Sequence, residues 1–282
     1  MESLEGKTAV VTGAASGMGR AFCERFARAG MKIVATDVEQ KALEGAVAAL
    51  RAGGAEVIDV RCDVSRPEDH ERVLEASVEA FGRVHVVCLN AGVGGGNGRT
   101  WTLSLEDWEW TLDVNLWGVI HGIRTFVPHL LEHDDGHVVT TASIAGHISS
   151  PYGAPYNVSK HGVVTLSEGL YSELQREKRR VGVTCLCPGF VATNILDSAR
   201  NRPGGRGGAS GERDAGGSRF VEKARHFIET GKPPAEVADL VHDAILADQF
   251  WLFTDEVWNE PISRRHREIE DRHPPSSPAP RR

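Results

Sequence analysis

The sequence predicts a doubly wound α/β fold, a single domain with a central parallel seven-stranded sheet between two layers of helices. Two observations predict it. Short β-branched runs alternate with longer helical patterns along the 282 residues. These runs are apolar nearly throughout, as strands covered on both faces are, and helices separate them, as parallel neighbours require. A chain that is 40% hydrophobic and 25% charged has the composition of an ordinary globular protein with a substantial core.

In chain order the expected strands are "KTAVVTG" (7–13), "MKIVATD" (31–37), "AEVIDVRCDV" (55–64), "VHVVCLNAG" (84–92), "GHVVTTAS" (136–143), "GVTCLCPG" (182–189) and "FWLFTDE" (250–256). The first helix is expected from about Arg20, with Phe22 and Phe26 one turn apart against the sheet and Arg20, Glu24 and Arg28 outward. Two stretches break the rhythm. Residues 201–218 contain seven glycines, and the segment 194–220 is expected to be a flexible lid over the substrate, with an inert solvated insertion as the alternative. The domain is expected to end at 263, and the charged, proline-rich residues 264–282 to be disordered.

Composition excludes several roles. The net charge of −7 offers no basic field for nucleic acid or an anionic membrane. There is no charged leader before a long apolar segment and no run of about 18 apolar residues, so a soluble, cytoplasmic protein is expected. Cys23, Cys62, Cys88, Cys185 and Cys187 lack metal-type spacing and read as buried free thiols. His121, His129, His133 and His137 are interrupted by Pro128 and by the turn at Asp135 and Gly136, so no metal site is expected.

In doubly wound sheets chemistry collects at the carboxyl ends of the strands. After the first strand, "TGAASGMGR" has glycines at 13, 17 and 19, which let the backbone approach a pyrophosphate at a helix N-terminus, although the spacing is not the standard G-x-G-x-x-G. Asp37, eighteen positions beyond Gly19, ends the second strand. There it can bind both hydroxyls of an adenosine ribose and repel a 2'-phosphate, which favours NAD over NADP; it can equally be a helix N-cap. With no basic residue beside it in sequence, NAD is the expected cofactor. In "GAPYNVSK" (153–160), Tyr156 and Lys160 stand four apart on one helical face, where an ammonium can draw a phenol pKa toward neutrality. The same spacing suits a plain surface pair.

Taken together, these motifs resemble the short-chain dehydrogenases/reductases, a family of Rossmann-fold oxidoreductases, over about residues 5–255. "TGAASGMG" is similar to the family's cofactor loop, "NAG" (90–92) to its fourth-strand motif, "YNVSK" to its active-site motif and "PGFVAT" (188–193) to its nicotinamide-side motif. The resemblance implies a catalytic tetrad of Asn115, Ser143, Tyr156 and Lys160, with serine and tyrosine thirteen positions apart as is usual in the family. It implies proton exchange by Tyr156, stabilisation of the reacting oxygen by Ser143, a role for Lys160 in the tyrosine pKa and ribose binding, and a relay water at Asn115. It also implies cofactor contacts from Gly13, Ser16, Gly17, Met18, Gly19, Asp37, Asp63, Val64, Asn90, Ala91, Gly92, Tyr156, Lys160, Pro188, Gly189, Val191 and Thr193. Asp63 reads equally as a turn aspartate, and Leu89 departs from the family's asparagine.

The expected activity is interconversion of a secondary alcohol and a ketone. An NADPH-linked 3-oxoacyl carrier-protein reductase and a non-catalytic dinucleotide sensor are the alternatives. Val93 to Gly96, Ile144, His147, Tyr152, Phe190 and Ile195 are expected to wall a mostly apolar substrate pocket. By the family's habit, helices at about 106–133 and 154–178 should pair with copies in a homotetramer, through apolar residues such as Trp117, Phe126, Leu166 and Leu170.

Overall fold

The structure is a computed structural model, and it describes residues 1–205 and 215–276. Strands β1 (Thr8–Thr12), β2 (Lys32–Asp37), β3 (Val57–Arg61), β4 (Val86–Leu89), β5 (Gly136–Thr141), β6 (Val181–Cys187) and β7 (Trp251–Phe253) form one sheet. Every neighbour pair is parallel, in the order β3-β2-β1-β4-β5-β6-β7. The order reverses between β1 and β4, and the carboxyl ends of these two central strands open the crevice where ligands gather in such sheets.

Alternation along the strands sorts the core into two layers. Ala9 and Val11 of β1, with Ile33, Val86, Val139 and Leu186, meet α1 (Gly17–Arg28), α2 (Gln40–Ala52) and α8 (Pro234–Leu246) on one face. Val10, Val34, Val87, Val138 and Val183 meet α3 (Pro67–Phe81), α5 (Gly118–His133) and α6 (Ala154–Arg176) on the other. Phe22 and Phe26 of α1 are fully buried, whereas Arg20 and Glu24 form an outward ion pair at 2.8 Å. Leu89 fills the space that Gly122 leaves in α5, where a Cβ would lie 2.3 Å from it, so the departure at this position is a packing choice made away from the cleft.

Three expectations need correction. Helix α5 runs through Pro128 without a break, because Phe126, Val127 and Leu130 bury its face against the sheet and hold the turn together. The boundary after residue 263 cuts through α9 (Asn259–Glu270), whose Arg264 is buried and bonded to Glu260 at 3.0 Å; a charged sequence disguised an amphipathic helix. The expected disorder at 277–282 and the glycine-rich residues 206–214 lie outside the described residues. Finally, Phe126 and Leu170 are buried within one chain and need no partner subunit, while Trp117 and Val158 are each 49% exposed. Among the described residues, no helix is long and apolar enough to cross a membrane.

Candidate active site

The carboxyl ends of β1, β2, β4, β5 and β6 face a cleft of about 1210 Å³. Its floor begins with the turn after β1. Gly13 and Gly17 adopt φ of 70° and 54°, and a Cβ on Gly19 would stand 2.1 Å from the Gly13 carbonyl oxygen. The turn therefore closes onto the N-terminus of α1, where Ser16 makes no side-chain capping bond and the first-turn N–H groups remain available to an anion.

Asp37, at the tip of β2, accepts from the backbone N–H of Ala15 and of Glu39, each at 3.0 Å. Those bonds tie the strand to the glycine turn and to the start of α2, and hold the carboxylate at the cleft wall. Asp63 is a turn aspartate that also borders the cleft. Its Oδ1 accepts from the N–H and hydroxyl of Ser65 at 3.1 and 2.7 Å, yet the residue lines the cleft. Val64, Met18 and Ser16 line it too.

Asn90 acts first as a brace. Its backbone N–H donates to Thr12 Oγ1 and its Nδ2 to the Thr12 carbonyl, both at 2.9 Å. Ala91 N–H shares the same hydroxyl at 3.0 Å. Gly92 leaves room beside Asn115 and Lys160, whose Oδ1 and Nζ would lie 3.3 and 3.6 Å from a Cβ there. Across the cleft, Ile144 N–H donates to the Pro188 carbonyl and Gly189 N–H to Thr254 Oγ1, both at 2.9 Å. Val191 bridges to Lys232, and the Thr193 methyl comes within 3.2 Å of where Gly17 would carry a Cβ. The loops after β1 and β6 thus meet.

Three of the four expected tetrad residues meet in the cleft, and the fourth, Asn115, lies behind it beside Gly92. Ser143 follows β5, and Tyr156 and Lys160 project from the first turns of α6; all three line the cleft. Lys160 is 3% exposed, donates to the Thr141 carbonyl at 2.7 Å and stands 5.7 Å from the Tyr156 ring centroid. Between α4 (Leu105–Leu112) and α5 the helix widens into a π turn, Asp113–Trp117, that turns Asn115 inward. There Asn115 Oδ1 accepts from Val93 N–H at 2.7 Å, and its Nδ2 donates to the Val93 carbonyl at 2.9 Å and to Ser159 Oγ at 3.2 Å.

Burial reshapes the expected proton chemistry. It pushes the Tyr156 phenol above its ordinary value, with the Ser143 hydroxyl pulling the other way. It also lowers the Lys160 ammonium to about 8, against a smaller opposing influence from Cys185 and Cys187. The net shift of the phenol is thus opposite to the one expected from its spacing to Lys160, because desolvation disfavours the charged form of both groups.

Four expected wall residues are absent from the cleft. His147 turns away: its Nε2 lies 3.3 Å from Cys187 Sγ, its ring packs on Trp251 and Phe253, and burial lowers its pKa to about 4. Tyr152 sits at φ 66°, its carbonyl accepting from Gly98 N–H at 3.0 Å, and it does not line the cleft; nor do Gly95 and Gly96. Trp110, Phe227 and Trp258 take their place, joining Val93, Gly94, Ile144, Phe190 and Ile195. Sequence proximity to Ser143 and Tyr156 was the only signal for His147 and Tyr152, and it carries no direction.

The segment after β6 also brings charges that the sequence hid. Arg200 Nη2 pairs with Glu39 Oε1 at 2.5 Å and Asn201 Nδ2 donates to the same oxygen at 2.8 Å, so a basic residue does reach the corner beside Asp37. Arg200 holds the Glu39 carboxyl below its usual range.

A glycine turn closing on an uncapped helix, an acid at the second strand tip and a serine, tyrosine and lysine on one cleft set the expectation for the comparison with known proteins. The family model described as short chain dehydrogenase matches residues 7–204. The chain belongs to the short-chain dehydrogenase/reductase family. This oxidoreductase is 37% identical over 254 residues to 1-deoxy-11-beta-hydroxypentalenate dehydrogenase of Streptomyces exfoliatus, covering 89% of this chain and 84% of that one. It is 30% identical over 277 residues to the CLA biosynthesis dehydrogenase/reductase of Lactiplantibacillus plantarum, covering 95% of each. Among solved structures, a short chain dehydrogenase/reductase from Burkholderia phymatum in complex with NAD superposes with a TM-score of 0.95 at 41% identity, covering 99% of both chains.

Proposed function

We propose that this oxidoreductase is an NAD-dependent dehydrogenase that interconverts a secondary alcohol and a ketone on a bulky, mostly hydrocarbon substrate. The observation that carries the reading is the single cleft lined both by the glycine turn with Asp37 and by Ser143, Tyr156 and Lys160. The cofactor fits this chain's own residues. Gly13, Gly17 and Gly19 leave a cradle at the uncapped N-terminus of α1 for the pyrophosphate, Asp37 offers its carboxylate to the ribose hydroxyls, and Asn90 to Gly92, Pro188, Gly189, Val191 and Thr193 line the way to the nicotinamide end. When bound there, NAD supplies the hydride acceptor.

The residues of the chain do the rest. Tyr156 takes the proton from the substrate hydroxyl, or returns it to a carbonyl in the reverse direction. Ser143 donates a hydrogen bond to the same oxygen and stabilises the charge that grows on it. Lys160, fixed by Thr141, keeps a cation beside the phenol and within reach of a ribose. Asn115, locked to Val93 and Ser159, holds the end of β4 and the start of α6 in register and offers the site for a relay water.

The apolar wall of Ile144, Phe190, Ile195, Trp110 and Phe227 suits an alicyclic or aromatic frame, in keeping with the hydroxypentalenate named for the Streptomyces relative. The similarity to an NAD complex supports the choice of dinucleotide. Five free, buried cysteines suit a reducing cytoplasm, and the exposed Trp117 and Val158 suit the helix pairing of a homotetramer. The test is NADH formation from NAD with a panel of bulky secondary alcohols. Saturable turnover of at least one is expected; no turnover in either direction across the panel would overturn the proposal.

A further inference from the structure

The wall of the cleft beside Trp110 holds a guanidinium. Arg202 follows the 3₁₀ segment Ile195–Asn201, its side chain 8% exposed, and its Nη1 donates to Asp107 Oδ1 at 2.5 Å. Its guanidinium carbon lies 5.7 Å from the centre of the Trp110 ring. Asp107 is itself 1% exposed and locked at the start of α4, where its N–H donates to Ser104 Oγ at 3.2 Å and its Oδ2 accepts from that hydroxyl at 3.1 Å.

The ion pair uses only one nitrogen of the fork. Arg202 Nε and Nη2 have no protein partner among the described residues, and neither is among the sealed, unpartnered atoms, which are Thr36 Oγ1 and Arg83 Nε. The residue lines the same cleft as Tyr156. A planar pair of N–H donors held rigid by a carboxylate behind and an indole face beside is the geometry that receives a carboxylate bidentately.

We propose that Arg202 is a specificity-determining anchor for a carboxylate carried by the substrate away from its reacting carbon, with Asp107 and Trp110 as positioning residues. This rests on the dehydrogenase reading above and narrows its substrate class to hydroxy or oxo acids with a hydrocarbon frame. Asp107 neutralises the guanidinium, so the anion is recognised by the directed fork in a poorly solvated wall rather than by net charge. Glu109 borders the same cleft and disfavours an anion at its own position on α4.

The test uses the full chain and a probe that cannot react: decahydronaphthalene-2-carboxylic acid, which has no hydroxyl, and its methyl ester, each titrated calorimetrically. The native protein is expected to bind the acid at least about tenfold more tightly than the ester, and Arg202→Leu to abolish that preference. Should Arg202→Leu fail to fold by circular dichroism, Arg202→Lys decides, since it keeps a cation against Asp107 without the fork and should retain only part of the preference. Equal binding of acid and ester by the native protein, or an acid preference that survives both substitutions, would overturn the anchor. Because the probe undergoes no oxidation, an Arg202-dependent preference without turnover of any hydroxy acid would sink the dehydrogenase reading alone.

Discussion

At the scale of single residues, Tyr156 is the sharpest point at which to test the chemistry. Tyr156→Phe keeps the ring and its packing and removes the exchangeable proton, so turnover should fall by about 10²- to 10⁴-fold while NADH binding, followed by fluorescence, stays close to native. Lys160 titrates at about 8 and the phenol above its ordinary range, so the proton-accepting form of the pair is lost as pH falls. Alcohol oxidation should therefore rise with pH, along a limb of the rate profile that belongs to both groups together. Asp37 should set cofactor choice, with Glu39 assisting by occupying Arg200. Asp37→Ala should narrow the preference for NAD, and adding Glu39→Ala should free the guanidinium for a 2'-phosphate and improve the efficiency with NADP by roughly tenfold or more. Native efficiency with NADP equal to that with NAD would contradict this assignment.

At the scale of elements, the strands and the helices that cover them were legible in the sequence because each answers to local chemistry. β-Branched apolar runs can only be buried strands here, and glycines at 13, 17 and 19 announce a turn too tight for side chains. What was not legible lies where long-range packing decides. Pro128 looked like a helix end, yet the burial of Phe126 and Leu130 outweighs its missing hydrogen bond. Residues 264–270 looked like tail, although Arg264 is buried. The residues proposed for the tetrad and the cofactor carry motifs, whereas Trp110, Arg200 and Arg202 have no motif and reach the cleft only through tertiary structure. The segment 194–205 is pinned by Glu39 to Arg200 and Asn201, by Asp107 to Arg202 and by Gly94 N–H to Ser198 Oγ at 3.0 Å. If it acts as a lid, Arg200→Ala with Asn201→Ala should raise the Michaelis constant several-fold with little change in NADH affinity, each exposed contact being worth about 1 kcal/mol or less. Unchanged kinetics would favour an inert insertion.

At the scale of the whole molecule, acid should unfold the protein through histidines buried in the neutral state. Burial lowers His137 from the ordinary 6.5 to about 3, and lowers His85 and His147 to about 4. His137 gains little from Asp248, whose carboxylate is 3.8 Å away and largely exposed. Below pH 6.5 the unfolded chain binds protons that the folded chain refuses, so stability declines as pH falls toward 4. Each such proton contributes about 1.4 kcal/mol per pH unit. Melting temperatures measured across that range should fall steadily, and His137→Gln should flatten the slope if it folds; a melting temperature independent of pH would refute the account. The proposed tetramer is checked separately by light scattering, where a lone monomer at micromolar concentration would refute it.

The π turn at Asp113–Trp117 has a consequence for the length of this chain. A wide turn accommodates one residue more than a regular helix would, and that residue cannot be trimmed. Deleting Val114 would let α4 and α5 join in an unbroken ladder, a local gain in regularity. The wide turn that faces Asn115 inward would be gone, and with it the contacts of Asn115 to Val93 and Ser159. The slack in the helix is what lets α4 place Asp107 and Trp110 at one end of the cleft while α5 keeps its own face on the core, so a tidier backbone here would belong to a protein without an active site.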